Sequence, residues 1–200
     1  MPTQLSFDPT RSAVLSMDLQ AGILSIYAKD QEGFLTRAAS VLHHARGLAM
    51  CVIHVQLGFR ANLPEVSPRN ALLSAIKNNP KHQQLFQGPT GAIHPAVAPH
   101  GDDIVITKHR VNAFTGTDLD MILRAKDIET LILFGIATSG VVLYTLLHAA
   151  DADYRLVVIK DCCADRDPET HTCLFEKIFP RQAMVVSATE FLAVNVGAGL

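Results

Sequence analysis

The tract Leu131-Ile132-Leu133-Phe134-Gly135-Ile136-Ala137-Thr138-Ser139-Gly140-Val141-Val142-Leu143-Tyr144-Thr145 constrains the fold most. Its first half is a continuous apolar run, the pattern of a strand buried on both faces. A tight Gly/Ser turn follows, and apolar residues then resume as a helix. In an open α/β sheet, ligands bind at such junctions, outside the carboxyl ends of the strands.

Strand-like and helical stretches alternate through the rest of the chain. Strands are expected over residues 12–19, 50–57, 103–108, 130–135, 155–160 and 184–187. Helices are expected over 34–46, with Gly47 as a stop, from Thr117 as N-cap to 125, over 139–150, and from Asp167-Pro168-Glu169 to 179. Such alternation implies βαβ units with right-handed crossovers. The predicted fold is a three-layer α/β/α sandwich around a mostly parallel, six-stranded, Rossmann-like sheet, in one domain over 1–200. Residues 58–101 break the pattern. They hold Pro64, Pro68, Pro80, Pro89, Pro95 and Pro99, with a helical piece at 70–77. A long irregular segment inside a compact domain is usually functional, and this one is read as a wall or lid over the strand ends and as an oligomer contact.

Composition narrows the function. The 200 residues are 48% hydrophobic and 18% charged, with a net charge of −2 and no Lys/Arg cluster. Nucleic acid and anionic membrane surfaces are therefore unsupported as partners. No apolar run approaches the ~20 residues that span a bilayer. Met1–Asp8 has neither a basic nor an apolar leader pattern, so the expected location is cytoplasmic. The four cysteines, Cys51, Cys162, Cys163 and Cys173, form no C-x-x-C pair and are read as reduced, mostly buried thiols.

Two charged residues close apolar strands. Asp18 follows Ala13-Val14-Leu15-Ser16-Met17, and Lys108 follows Ile104-Val105-Ile106-Thr107. Alone, the acid could cap a helix and the lysine could lay its stem over apolar surface. Together they could pair across the sheet edge, with Asp18 moving a proton and Lys108 supplying positive charge beside a developing anion. The Ala137–Val141 turn adds backbone amides at a helix start, a setting for an oxyanion or carboxylate.

Met17-Asp18-Leu19-Gln20, Thr107-Lys108 with Asn112-Ala113-Phe114, and Gly135-Ile136-Ala137-Thr138 resemble the three signature blocks of the isochorismatase-like (cysteine hydrolase) superfamily. The resemblance runs from Ser12 to Ala188. It implies an Asp–Lys–Cys triad in which Asp18 and Lys108 match the first two members. The third, nucleophilic position falls on Val141. It also implies a cis peptide between Ile136 and Ala137, and an oxyanion site from the amides of Ala137 and Val141. Without a thiol, the covalent amidase route loses its first step. Ser139 is two residues early for a nucleophile and is read as a helix cap. Cys162, placed after the fifth strand, is the other weak candidate.

Isochorismatases within this superfamily also lack the cysteine, and cleave a vinyl ether by protonation and water addition. The chain is similar in that respect, although Val141 is bulkier than the glycine typical there. Nicotinamidase relatives carry an Asp-x-His metal site after the second strand. Here His54 stands alone on an apolar strand and is read as a satisfied core histidine. His43 and His44 diverge on a helix, and His94 and His100 lie in the loop without carboxylates at ligand spacing, so no metal and no cofactor are expected. The expected function is hydrolysis of a small anionic metabolite by Asp/Lys acid–base chemistry, in a homo-oligomer. The alternative is a catalytically silent binding or scaffold protein. Gln20, Phe59, Arg60, Arg110, Phe114 and Ser139 are the expected substrate contacts.

Overall fold

The computed structural model describes residues 5–194, so both ends of the expected 1–200 domain lie outside the described residues. Six strands make one sheet: β1 (Ser12–Met17), β2 (Cys51–Leu57), β3 (Ile104–Lys108), β4 (Thr130–Ile136), β5 (Arg155–Ala164) and β6 (Met184–Val186). Their order is β3-β2-β1-β4-β5-β6, and every neighbouring pair is parallel. The sheet is thus wholly parallel rather than mostly so, with helices on both sides. The chain winds outward from β1 to β3 and then returns to β4 on the other flank of β1. The crevice between β1 and β4 is the topological switch point, where ligands of open α/β sheets sit.

Burial explains which strands are central. All of β1 and all of β4 are buried, as their largely apolar sequences require, and Ser12, Ser16 and Thr130 are buried with them. β3, at the edge, alternates buried and more exposed positions. At the end of β4, Gly135 has φ +148, and an added Cβ would lie 2.1 Å from the Met17 carbonyl oxygen. Only glycine lets β4 approach β1 this closely before the turn. The pairing of β4 with β5 also shifts register between Leu133 and Gly135.

The helices are α1 (Ala21–Tyr27), α2 (Gln31–Gly47), α3 (Ala71–Lys77), α4 (Pro80–Gln84), α5 (Gly88–Gly91), α6 (Leu119–Ala125), α7 (Leu143–Asp151), α8 (Pro168–Cys173) and α9 (Ala188–Leu192). α2 begins three residues before the expected start because Asp30 caps it, accepting from the Gly33 amide at 3.1 Å. It buries Phe34, Leu35, Ala38, Val41, Leu42 and Ala45 on one face, each large side chain contributing about 1.5–3 kcal/mol. It also runs through Gly47, and the left-handed residue beyond it is Ala49, at φ +56. α6 is N-capped at Asp118 rather than Thr117, and the Asp118 side chain makes no cap bond. Among the described residues, no helix is long and apolar enough to cross a membrane.

The proline-rich segment is not irregular throughout. Asn70 caps α3, accepting from the Leu73 amide at 3.0 Å, and Asn79 with Pro80 starts α4. Leu63, Val66 and Leu73 form a small second core, with Phe59 and Ile76 packed on it. Gln20 ties this segment to the sheet. Its amide nitrogen donates to the carbonyls of Leu57 at 3.0 Å and Gly91 at 2.6 Å, and its oxygen accepts from the Leu57 amide at 2.9 Å.

Candidate active site

The residue after β1 is Asp18, at φ +57, a left-handed backbone that aspartate tolerates better than most side chains. Its amide donates to the Val55 carbonyl at 2.8 Å, so the carboxylate is held at the carboxyl edge of the sheet. Lys108 ends β3, with β2 in between. Its side chain spans that gap, and Nζ lies 2.8 Å from Asp18 Oδ2. Nζ also donates to the Arg110 carbonyl at 3.1 Å. Both side chains are buried, the lysine at 1% and the acid at 7% exposure.

The other carboxylate oxygen, Asp18 Oδ1, is buried with no hydrogen-bond partner. Burial pushes the Asp18 carboxyl above the usual range, and the Lys108 ammonium only partly opposes it. An acid that holds its proton to higher pH can act as a proton donor.

These two residues line a cavity of about 290 Å³. One wall is the turn after β4, through Ile136, Ala137, Gly140 and Val141. The Ile136–Ala137 peptide is cis. The Ala137 carbonyl accepts from the amides of Gly140 at 3.1 Å and Val142 at 3.3 Å. The turn continues through Thr138–Val142, kinked at Gly140 (φ −101, ψ −112), into α7. Ser139 is not a helix cap: its amide and hydroxyl both donate to Asp165 Oδ2, each at 2.7 Å. It fastens the turn to the loop after β5. The facing walls come from α1, α3 and the residues after α4, among them Ile23, Leu72, Ile76, Leu85 and Phe86.

Asp18, Lys108, Ala137 and Val141 therefore share one cavity, while the other expected contacts do not line it. Gln20 is 1% exposed and bonded to backbone. Phe59 packs edge-on behind Phe86, with ring centroids 5.6 Å apart. Arg60 points to solvent, 3.9 Å from Glu65. Arg110 donates to the carbonyls of His109 at 2.6 Å and Glu65 at 3.1 Å. Phe114 stacks on His148 at 4.5 Å. Gln20 and Arg110 are held by backbone carbonyls and Phe59 and Phe114 by aromatic neighbours, while Arg60 faces solvent.

Three lining residues, Tyr27, His82 and Arg166, lay outside the sequence reading. Arg166 could have been found, because it follows β5 at the same edge. The strand was expected to stop at 160 but continues to Ala164. For the same reason Cys162 lies inside β5 rather than after it. Burial pushes its thiol far up and that of Cys163 up to about 12. Neither lines the cavity, nor do Cys51 and Cys173.

His54 is only half satisfied: Nε2 meets Asp103 at 3.1 Å, and buried Nδ1 has no partner. Among the described residues, no group of three His, Cys, Asp or Glu is placed to hold a metal ion.

Known proteins share this fold. The isochorismatase domain matches residues 12–190. The chain belongs to the isochorismatase family. An isochorismatase family protein of Escherichia coli O157:H7, YecD, is 31% identical over 192 residues, covering 94% of this chain and 98% of its own. The maleamate amidohydrolase of Pseudomonas putida is 26% identical over 166 residues, covering 80% of this chain and 76% of its own. In structure, a cysteine hydrolase from Pseudomonas syringae pv. phaseolicola superposes with a TM-score of 0.83 at 22% identity, covering 93% and 92% of the two chains. That likeness establishes the α/β fold, and the family's named relatives include hydrolases.

Proposed function

We propose that this isochorismatase family member hydrolyses a small anionic metabolite by acid–base chemistry at Asp18, without a covalent enzyme intermediate. The observation that carries the reading is the buried Asp18 carboxylate, with one oxygen on Lys108 and the other unpartnered, in a cavity that no cysteine lines.

The chemistry follows from that geometry. Protonated Asp18 donates its proton to the terminal carbon of a vinyl ether, leaving an oxocarbenium ion. Lys108 stabilises the carboxylate so formed. Water adds to the cationic carbon, and Asp18 takes back the proton that the water releases. The hemiketal then collapses to a ketone and an alcohol. The amides of Ala137 and Val141, on the adjoining wall, are the proposed donors to the departing alcohol oxygen, which carries negative charge as its bond to carbon breaks and then takes up the hemiketal hydroxyl proton. Amide hydrolysis through an acyl-enzyme is disfavoured because Val141 carries only hydrocarbon.

The same valine favours a second reading, a protein that binds in this cavity without turnover. Purified protein assayed on small vinyl ethers and amides, with and without iodoacetamide, separates the cases. The expected result is vinyl-ether turnover that alkylation leaves intact. Strong amide hydrolysis abolished by iodoacetamide would overturn the proposal, and saturable binding with no turnover would favour the silent reading.

A further inference from the structure

We infer that the cavity takes an amphiphilic monoanion: an apolar alkyl or aryl body lying between the reactive group at Asp18 and a single carboxylate held at the rim by Arg166. The assignment of the reacting end rests on the hydrolytic proposal above. The binding preference does not.

The walls are hydrocarbon from three separate elements. α1 supplies Ile23 and Ile26, α3 supplies Leu72 and Ile76, and Leu85 and Phe86 follow α4. Ile26 is 42% exposed and Leu72 59% exposed, so the apolar lining extends to the surface. Apolar side chains left in water beside a cavity are a mark of a binding groove. The volume of about 290 Å³ holds on the order of ten water-sized groups at ~30 Å³ each.

The charges then say where an anion sits. Lys108 is already committed to Asp18 and the Arg110 carbonyl. A second carboxylate beside Asp18 would be buried with no free cation to pair with. Arg166 lines the same cavity and is exposed. It forms no ion pair or side-chain hydrogen bond among the described residues, and its neighbour Asp165 is engaged by Ser139. A guanidinium with its donors free suits a two-point contact with one carboxylate. A compact polar diacid would leave the hydrocarbon walls wet.

The test uses straight-chain monocarboxylates from butanoate to dodecanoate, which cannot be hydrolysed, so affinity is read by calorimetry independently of turnover. The expected Kd falls about fourfold per added methylene and levels off near ten carbons. Arg166→Gln weakens the acids about tenfold and leaves the matching primary alcohols unchanged. Ile76→Asn flattens the chain-length slope while the circular dichroism spectrum stays that of wild type. A Kd independent of chain length, or an Arg166→Gln effect equal for acids and alcohols, would overturn the inference. Chain-length-dependent binding without any vinyl-ether turnover would sink the hydrolytic proposal and leave this one standing. Turnover with flat binding would do the reverse.

Discussion

Two buried aspartates, one at each end of the sheet, have similar exposure and opposite acidity. Asp18, at the carboxyl edge, is 7% exposed and Asp103, before β3, is 5% exposed. Burial pushes both carboxyls up. At Asp103 it is outweighed, because the Arg46 guanidinium, the His100 amide at 2.9 Å and His54 at 3.1 Å all donate to it. That carboxyl ends below the usual range. At Asp18 one ammonium serves one oxygen and the other oxygen has no partner, so the carboxyl ends above it. A saturated buried acid holds structure together. An unsaturated one bordering a cavity has a lone pair, or a proton, left for chemistry.

The largest expected difference is in turnover. Asp18→Asn should lower it by about two to four orders of magnitude, because the amide neither gives nor takes the transferred proton. Asp103→Asn should change turnover per folded molecule by less than about threefold, since it is remote from the cavity. Equal losses in the two variants, measured on the same substrate, would break the contrast.

Stability should rank them the other way. Asp103→Ala leaves His54 and Arg46 without their acceptor and should cost about 2–4 kcal/mol, towards the lower end because Arg46 stays partly hydrated. Urea titration reads this directly, and a loss under about 0.5 kcal/mol, the size of an ordinary surface change, would show the cluster is not structural.

The pH responses should also diverge. If protonated Asp18 is the donor, turnover is full below its folded pKa and falls as pH rises through it. That decline should sit above the ordinary value of 3.8, since the folded pKa is raised. Asp103 behaves oppositely: its contribution to stability is present above 3.8 and is lost as pH falls through its lowered folded value. A pH–rate profile on wild type, beside melting temperatures of wild type and Asp103→Asn, checks both signs. Turnover that instead rises with pH would mean the Asp18 carboxylate acts as a base.

The smallest effect should be a gain. Val141→Cys should bring weak amide or ester hydrolysis, because acid, cation and turn already border position 141. Peptide mass spectrometry after iodoacetamide should find the new thiol alkylated as that activity disappears. An inert thiol there would mean the acid and cation do not activate a group at that position.

The central strands could be read in advance because unbroken runs such as Val14-Leu15 and Leu131-Ile132-Leu133 have few other ways to be buried. Errors gathered where polar residues interrupt a strand. Lys160-Asp161 suggested that β5 had ended, yet it continues and Asp161 accepts from the Ala188 amide at 2.7 Å. α9 was missed despite its capping box, Ser187 with Glu190, and α1 because seven residues carry little periodicity.

The amino-acid order alone set the strand-forming runs, the acid and the lysine at two strand ends, and the hydrocarbon at position 141. These are local properties of short segments. The folded chain settled the rest. It decided that β3 and β1 lie one strand apart, so that a lysine and an aspartate ninety residues apart (108 − 18) meet at 2.8 Å. It turned Gln20, Arg60 and Arg110 towards nearby acceptors and brought Tyr27, His82 and Arg166 to the cavity. A long polar side chain takes whichever partner lies within reach, and that depends on the neighbours packing supplies, not on the residues beside it in the chain.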